Sequence, residues 1–142
     1  MTVLIDTNVL MRLTNSSDPR HDAAKTEIDI LKAAGHLLAI VPQNIYEFWT
    51  AATRTQDANG LGLSPQEARQ YIDLFTKQFT LHNDTPAVYH TFLDLMEQHG
   101  VTGTNSYDGR IAAAMLVHGL THILTFNAKD FGRYSHVSVI TP

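Results

Sequence analysis

Four acidic residues, Asp6, Glu47, Asp108 and Asp130, each fall just beyond an apolar run or at the start of the helix expected after one. If parallel strands gather their carboxyl ends on one edge, those four carboxylates converge there, where ligands of open α/β sheets bind. Two carboxylates ~5 Å apart repel by roughly 3 kcal/mol at an effective dielectric near 20, so such a cluster is unfavourable without a cation. Oxygen-only ligation with several waters selects Mg²⁺ or Mn²⁺ over Zn²⁺, and Mg²⁺ supports phosphoryl chemistry by positioning water and neutralising developing charge.

The acids differ in their local setting. Val3-Leu4-Ile5 is too short for a helix and does not alternate, which suits a strand buried on both faces and puts Asp6 at its end. Asp6 also suits the N-cap of the next helix, and both uses remain open. Glu47 lies off the stripe of Ile45, Phe48, Trp49 and Ala52, so it faces solvent or a cleft, and a favourable place near a helix N-terminus explains it as well. Asp108 falls close to the face of Ile111, Ala112 and Met115, where a carboxylate needs a partner. Asp130 comes just after another predicted strand.

The elements that position these residues alternate along the chain. Predicted strands are 3–5, 37–41, ended by Pro42, a weaker one at 79–81, 123–125 and 137–140. Asp18-Pro19 reads as an N-cap and first helical residue, leading to Ala24, Ile28 and Leu31 on one face and a stop at Gly35. Ser64-Pro65-Gln66-Glu67 is a capping box opening a helix with Ala68, Tyr71, Ile72 and Phe75 on its apolar face. Helices are also expected over 86–99 and from about 106 to 118, with a short helical turn at 128–131. This order predicts one α/β domain over residues 1–142, a mostly parallel sheet with helices on both faces.

Composition excludes several classes. With 142 residues, 44% of them apolar, the chain can build a substantial core. No apolar run approaches the ~20 residues that span a bilayer, so no membrane role is expected. The absence of cysteine removes disulfides, thiolate zinc sites and cysteine nucleophiles, in keeping with the cytoplasm. A formal net charge of −4 argues against a broad nucleic-acid-gripping surface, so any nucleic-acid chemistry needs a local site, a metal or a partner's charge. None of the eight histidines repeats at metal-ligand spacing with another ligand type, and the aromatic stripes, Trp49 and Phe92 included, read as core or subunit interface. Arg54, Arg110 and Arg133 suit phosphate contact or, more commonly, a solvated face.

Four stretches together resemble the PIN-domain ribonucleases, in particular the toxins of bacterial VapBC pairs: Ile5-Asp6-Thr7-Asn8-Val9-Leu10, Asn44-Ile45-Tyr46-Glu47-Phe48, the run from Ser106 to Ala114 containing Tyr107-Asp108-Gly109, and Leu124 to Phe131. The resemblance runs nearly end to end. It implies that Asp6, Glu47 and Asp108 hold a catalytic Mg²⁺, for which Mn²⁺ can substitute, with Asp6 and Asp108 as direct ligands. Asn127 stands where the family usually has a fourth acid, which weakens any second metal; Asp130 either compensates or caps its turn. Thr7, Asn8 and Ser106 either orient waters and ligands or cap helices. The implied reaction is hydrolysis of an RNA phosphodiester by a metal-activated water, and the implied partners are a small antitoxin and a second copy of the chain.

Two alternatives stand beside this. A degenerate domain of the same fold would bind RNA or a partner without cutting, as Asn127 and the acidic net charge allow. A haloacid-dehalogenase-type phosphatase also follows its first strand with an aspartate, but it needs a second one two residues on, where Asn8 stands.

Overall fold

A computed structural model describes residues 1–142. Five strands form one fully parallel sheet: β1 (Thr2–Ile5), β2 (Leu37–Ile40), β3 (Thr80–Leu81), β4 (His122–Leu124) and β5 (Ser138–Ile140). Their spatial order is β3-β2-β1-β4-β5, so β1 lies at the centre and the connection order reverses across it. The helices are α1 (Thr7–Leu13), α2 (His21–Ala33), α3 (Pro42–Thr53), α4 (Pro65–Gln78), α5 (Pro86–His99) and α6 (Ser106–His118). This is the expected α/β architecture, with helices on both faces.

Strand alternation divides the core in two. Val3, Ile5, Leu38, Ile40 and Leu124 point to the face covered by α1 to α4, where Phe48 meets Phe75 edge-on with centroids 5.1 Å apart. Leu4, Ala39 and Ile123 point to the other face and pack on α5 and α6 through Leu95 and the run Ile111 to Met115. Val3, Leu4 and Ile5 are all fully buried, as a central strand lacking polar alternation requires. Gly109 on α6 faces the end of the Met96 side chain of α5, which a Cβ there would displace.

Two local expectations change. Asp18-Pro19 does not begin α2; the helix starts at His21, and Asp18 instead holds the preceding turn. Its Oδ1 accepts the Arg20 N–H at 2.8 Å, and its carboxylate pairs with Arg12 and Arg20. Trp49, placed in the apolar stripe of its helix, is 39% exposed because only Phe48 and Ala52 among those later residues turn fully to the core. The helices 86–99 and 106–118 have the expected ends, and the Ser64–Glu67 capping box forms as read.

Candidate active site

Asp6 follows β1 directly, at the point where the strand order reverses. Its backbone N–H continues the sheet by donating to the Leu124 carbonyl at 3.0 Å, so the strand pairing fixes its position. It is also the N-cap of α1, with Oδ1 accepting the Thr7 N–H at 2.8 Å. The capping reading therefore holds for Oδ1, while the carboxylate also lies on the groove described below. Oδ2 accepts from Thr125 Oγ1 at 2.8 Å and from Asn8 Nδ2 at 3.2 Å.

A polar frame surrounds this carboxylate. Asn8 Nδ2 also donates to Thr125 Oγ1, and Asn8 Oδ1 accepts the Phe126 N–H, locking the start of α1 to the segment after β4. Thr7 Oγ1 donates to Glu47 Oε2 at 2.9 Å, and Gln43 Nε2, one helical turn before Glu47, donates to Oε1 at 2.7 Å. Glu47 is thus half-buried on the cleft side of α3, as its place off the apolar stripe predicted. Below it, fully buried Asn44 accepts the Val41 N–H and donates to Thr7 Oγ1. Thr7 and Asn8 accordingly brace the acids. Ser106, at the start of α6, does not line the groove.

An open groove of about 720 Å³ is lined by Asp6, Thr7, Asn8, Glu47, Asp108 and Asn127 among others. Asp130 sits in the 3₁₀ turn Ala128–Phe131, close enough for its charge to act on both Asp6 and Asp108. Burial, with smaller contributions from Glu47 and Asp130, raises the Asp6 carboxyl to about 6 despite the hydrogen bonds from Thr125 and Thr7. Burial also raises Asp108 to about 7, reinforced by Asp130, Asp6 and Glu47 and only partly offset by Arg133. The chain's ion pairs, Arg12–Asp18, Arg20–Asp18 and Arg69–Asp73, involve none of these acids.

The donor set is all oxygen, negatively charged and short of compensating cations, which matches a hard divalent ion. No three Asp, Glu or His side chains stand close enough together to enclose one ion. The three-acid cage implied for Asp6, Glu47 and Asp108 is therefore not assembled in this geometry, and a divalent ion held here would take one or two of the carboxylates and keep its waters. Asn127 is exposed on the groove edge and contributes only a neutral side chain.

Thr125, Asn44 and Gln43 were not singled out individually by sequence reading. Buried polar side chains beside an acid are the signal, and it appears only once long-range contacts are known.

A family model described as PIN domain matches residues 3–137. By sequence, no curated protein matches. Among solved structures, the chain is similar to VapBC2 from Rickettsia felis bound to a promoter DNA fragment, with TM-score 0.75 and 17% identity, over 100% of this chain and 99% of the other. It is similar to a toxin–antitoxin complex from Klebsiella pneumoniae, with TM-score 0.66 and 24% identity, over 99% and 97% of the two chains. It is also similar to VapC20 from Mycobacterium tuberculosis, described as a sarcin–ricin-loop-cleaving toxin, with TM-score 0.64 and 17% identity, over 85% and 86%.

Proposed function

This chain belongs to the PIN-domain family, and from that premise we propose that it is a Mg²⁺-dependent ribonuclease acting as the toxin of a toxin–antitoxin pair. The observation that carries the proposal is the juxtaposition of Asp6, Glu47 and Asp108 in one open groove, with two carboxyls raised to about 6 and about 7 and none paired to a basic side chain. Asp6 also caps α1, but burial and the neighbouring acids oppose ionisation of both Asp6 and Asp108, a setting that a bound cation would relieve. Asn8 donates to Asp6 and Thr125, so the second acid of a phosphatase of the dehalogenase type is replaced by a brace.

Asp6 and Asp108 are the residues we assign to hold the ion, and Mn²⁺ would suit the same oxygens. When bound, it would supply Lewis-acid polarisation and offset charge on the phosphate. Thr125, Asn8 and the Thr7 N–H fix Asp6 in one orientation, which lowers the reorganisation needed at the moment of reaction. Gln43 and Thr7 hold Glu47, and each of its oxygens keeps a further lone pair able to accept a proton. In the reaction we assign, water attacks phosphorus in line with the departing ribose oxygen. The new P–O bond forms as the old one breaks, the water's proton passes to a Glu47 oxygen, and the departing oxygen takes a proton from solvent.

The likeness to toxin–antitoxin structures supports an antitoxin as partner; we assign to it an Arg or Lys facing the carboxylates, on charge complementarity. We place a second copy of the chain in the working assembly on the family resemblance. No helix is long and apolar enough to cross a membrane, and we assign the activity to the cytoplasm. Incubating the purified chain with a mixed RNA pool, in Mg²⁺ and in EDTA, tests the activity: Mg²⁺-dependent cleavage supports it, and binding without cleavage would leave the degenerate, binding-only module.

A further inference from the structure

Besides its acids, the groove carries a second set of charges toward the outer ends of α1 and α3. Arg12, Arg20 and Arg54 line it there, with Asp18 as the one carboxylate among them. Arg12 Nε faces Asp18 Oδ2 at 3.5 Å without hydrogen-bond geometry, and it finds no hydrogen-bond partner although it is buried. Arg20 approaches the same carboxylate with Nε 3.2 Å from Oδ1 and Nη2 3.4 Å from Oδ2. Two guanidiniums therefore share one carboxylate. A third, Arg54, follows the last residue of α3 and is exposed.

An ion pair that only secured the turn before α2 would need one arginine. Here the Arg12 side chain is only 23% exposed, and burial together with the nearby Arg20 charge pulls its guanidinium below the usual arginine range, against the effect of Asp18. The arrangement holds excess positive charge half out of water in a chain whose formal net charge is −4. An anion is the partner that completes it.

We propose that Arg12, Arg20 and Arg54 form a phosphate-binding subsite that holds the backbone of a single RNA strand away from the phosphodiester being cleaved. The inference rests on the reading of the chain as a ribonuclease. Its spacing follows from the helices: Thr7 to Arg12 on α1 spans about 7–8 Å, and Glu47 to Arg54 along α3 about 10 Å. Those lengths set the subsite apart from the carboxylates along the groove, so it meets a phosphate other than the one being cleaved. The arginines then supply locally the phosphate contacts that the overall charge does not. The acids mark where the chain is cut, and the arginines fix which direction along the groove it runs.

Arg12 also ties the end of α1 to the turn, so the exposed Arg20 and Arg54 carry the test. The Arg20→Gln/Arg54→Gln double variant is compared with wild type on a dinucleotide and on a single-stranded oligonucleotide of about ten nucleotides, across a range of salt. The variant should lose at least about tenfold in kcat/KM on the longer RNA, chiefly through KM. Its loss on the dinucleotide should be several-fold smaller, and its log–log salt slope shallower by about 0.7 for each phosphate contact removed. Arg69→Gln, on the far exposed face of α4, should match wild type. Equal effects on both substrates, or an unchanged salt slope, would overturn the subsite while leaving the nuclease intact. A wild-type chain that cuts no RNA in Mg²⁺ would overturn the ribonuclease reading and the subsite with it. If the double variant keeps wild-type kcat/KM on both RNAs yet loses affinity for an acidic peptide, the arginines serve a protein partner and the RNA subsite is refuted.

Discussion

Thr125 Oγ1 donates a 2.8 Å hydrogen bond to Asp6 Oδ2 across 119 residues of sequence, joining the ends of β4 and β1 at the point where the sheet's order reverses. Thr125 is fully buried and Asp6 is 5% exposed, so this bond decides where the carboxylate points. It also lowers the Asp6 carboxyl, against the larger upward effect of burial. Replacing Thr125 with Val should raise that carboxyl further above about 6 and weaken Mn²⁺ binding at least about tenfold, the usual scale for loss of an orienting partner. Thr125→Ser should restore most of it. Titration calorimetry and a carbon-detected pH titration of Asp6 check both effects; equal affinities in all three proteins would separate Thr125 from the site.

The metal-free chain should lose stability as the groove acids ionise. Asp6 rises from 3.8 to about 6 and Asp108 from 3.8 to about 7, so the folded chain binds these protons more tightly than the unfolded one. That contribution is fully present below the unfolded values and is lost as pH rises through about 6 and about 7. In EDTA, Asp6→Asn should therefore melt close to wild type near pH 4 and above it near pH 8, by about 1–3 kcal/mol. Mg²⁺ should close the gap by stabilising wild type through binding to the folded state. A gap of constant size at every pH, or no gap, would mean that Asp6 acts only as a helix cap, for which Asn serves nearly as well.

Asn127 reaches the groove edge without charge. Asn127→Asp should tighten Mn²⁺ binding by at least about tenfold, because a divalent ion and a carboxylate ~5 Å apart attract by more than ~1.4 kcal/mol even in bulk water. Unchanged affinity in calorimetry would place residue 127 outside the site.

Expression of the chain alone should slow bacterial growth, and co-expression of a small open reading frame next to its gene should relieve it. Growth unaffected by abundant folded wild-type protein would count against the toxin role and leave nuclease chemistry standing.

Local rules carried the sequence furthest where they were not contested. Pro86 opens α5 and Gly100 closes it in a left-handed conformation, so its extent was legible, and that of α6 approximately so. Asp18-Pro19 gives the same local signal as a helix start, but Arg12 and Arg20 claim its carboxylate and α2 begins at His21. Asp6 and Asp108 stood out from their positions after a strand and on an apolar helix face, whereas Glu47 suited a plain helix start equally well and joined them through the family resemblance. Thr125 and Asn44 were not, because what makes each matter is a bond to a residue 119 or 37 positions away. Arg12 escaped notice for the same reason: a lone arginine acquires meaning only when the turn brings Asp18 and Arg20 beside it.

The most direct measurement is cleavage of a mixed RNA pool by purified wild type, Asp6→Asn and Asp108→Asn, in millimolar Mg²⁺ and in EDTA, with the fold of each protein checked by circular dichroism. Wild type should cut only with Mg²⁺, and each variant, still folded, should be slower by at least about 100-fold. Equal rates in the three proteins, or cleavage that persists in EDTA, would contradict the assignment of these carboxylates to a metal-dependent ribonuclease.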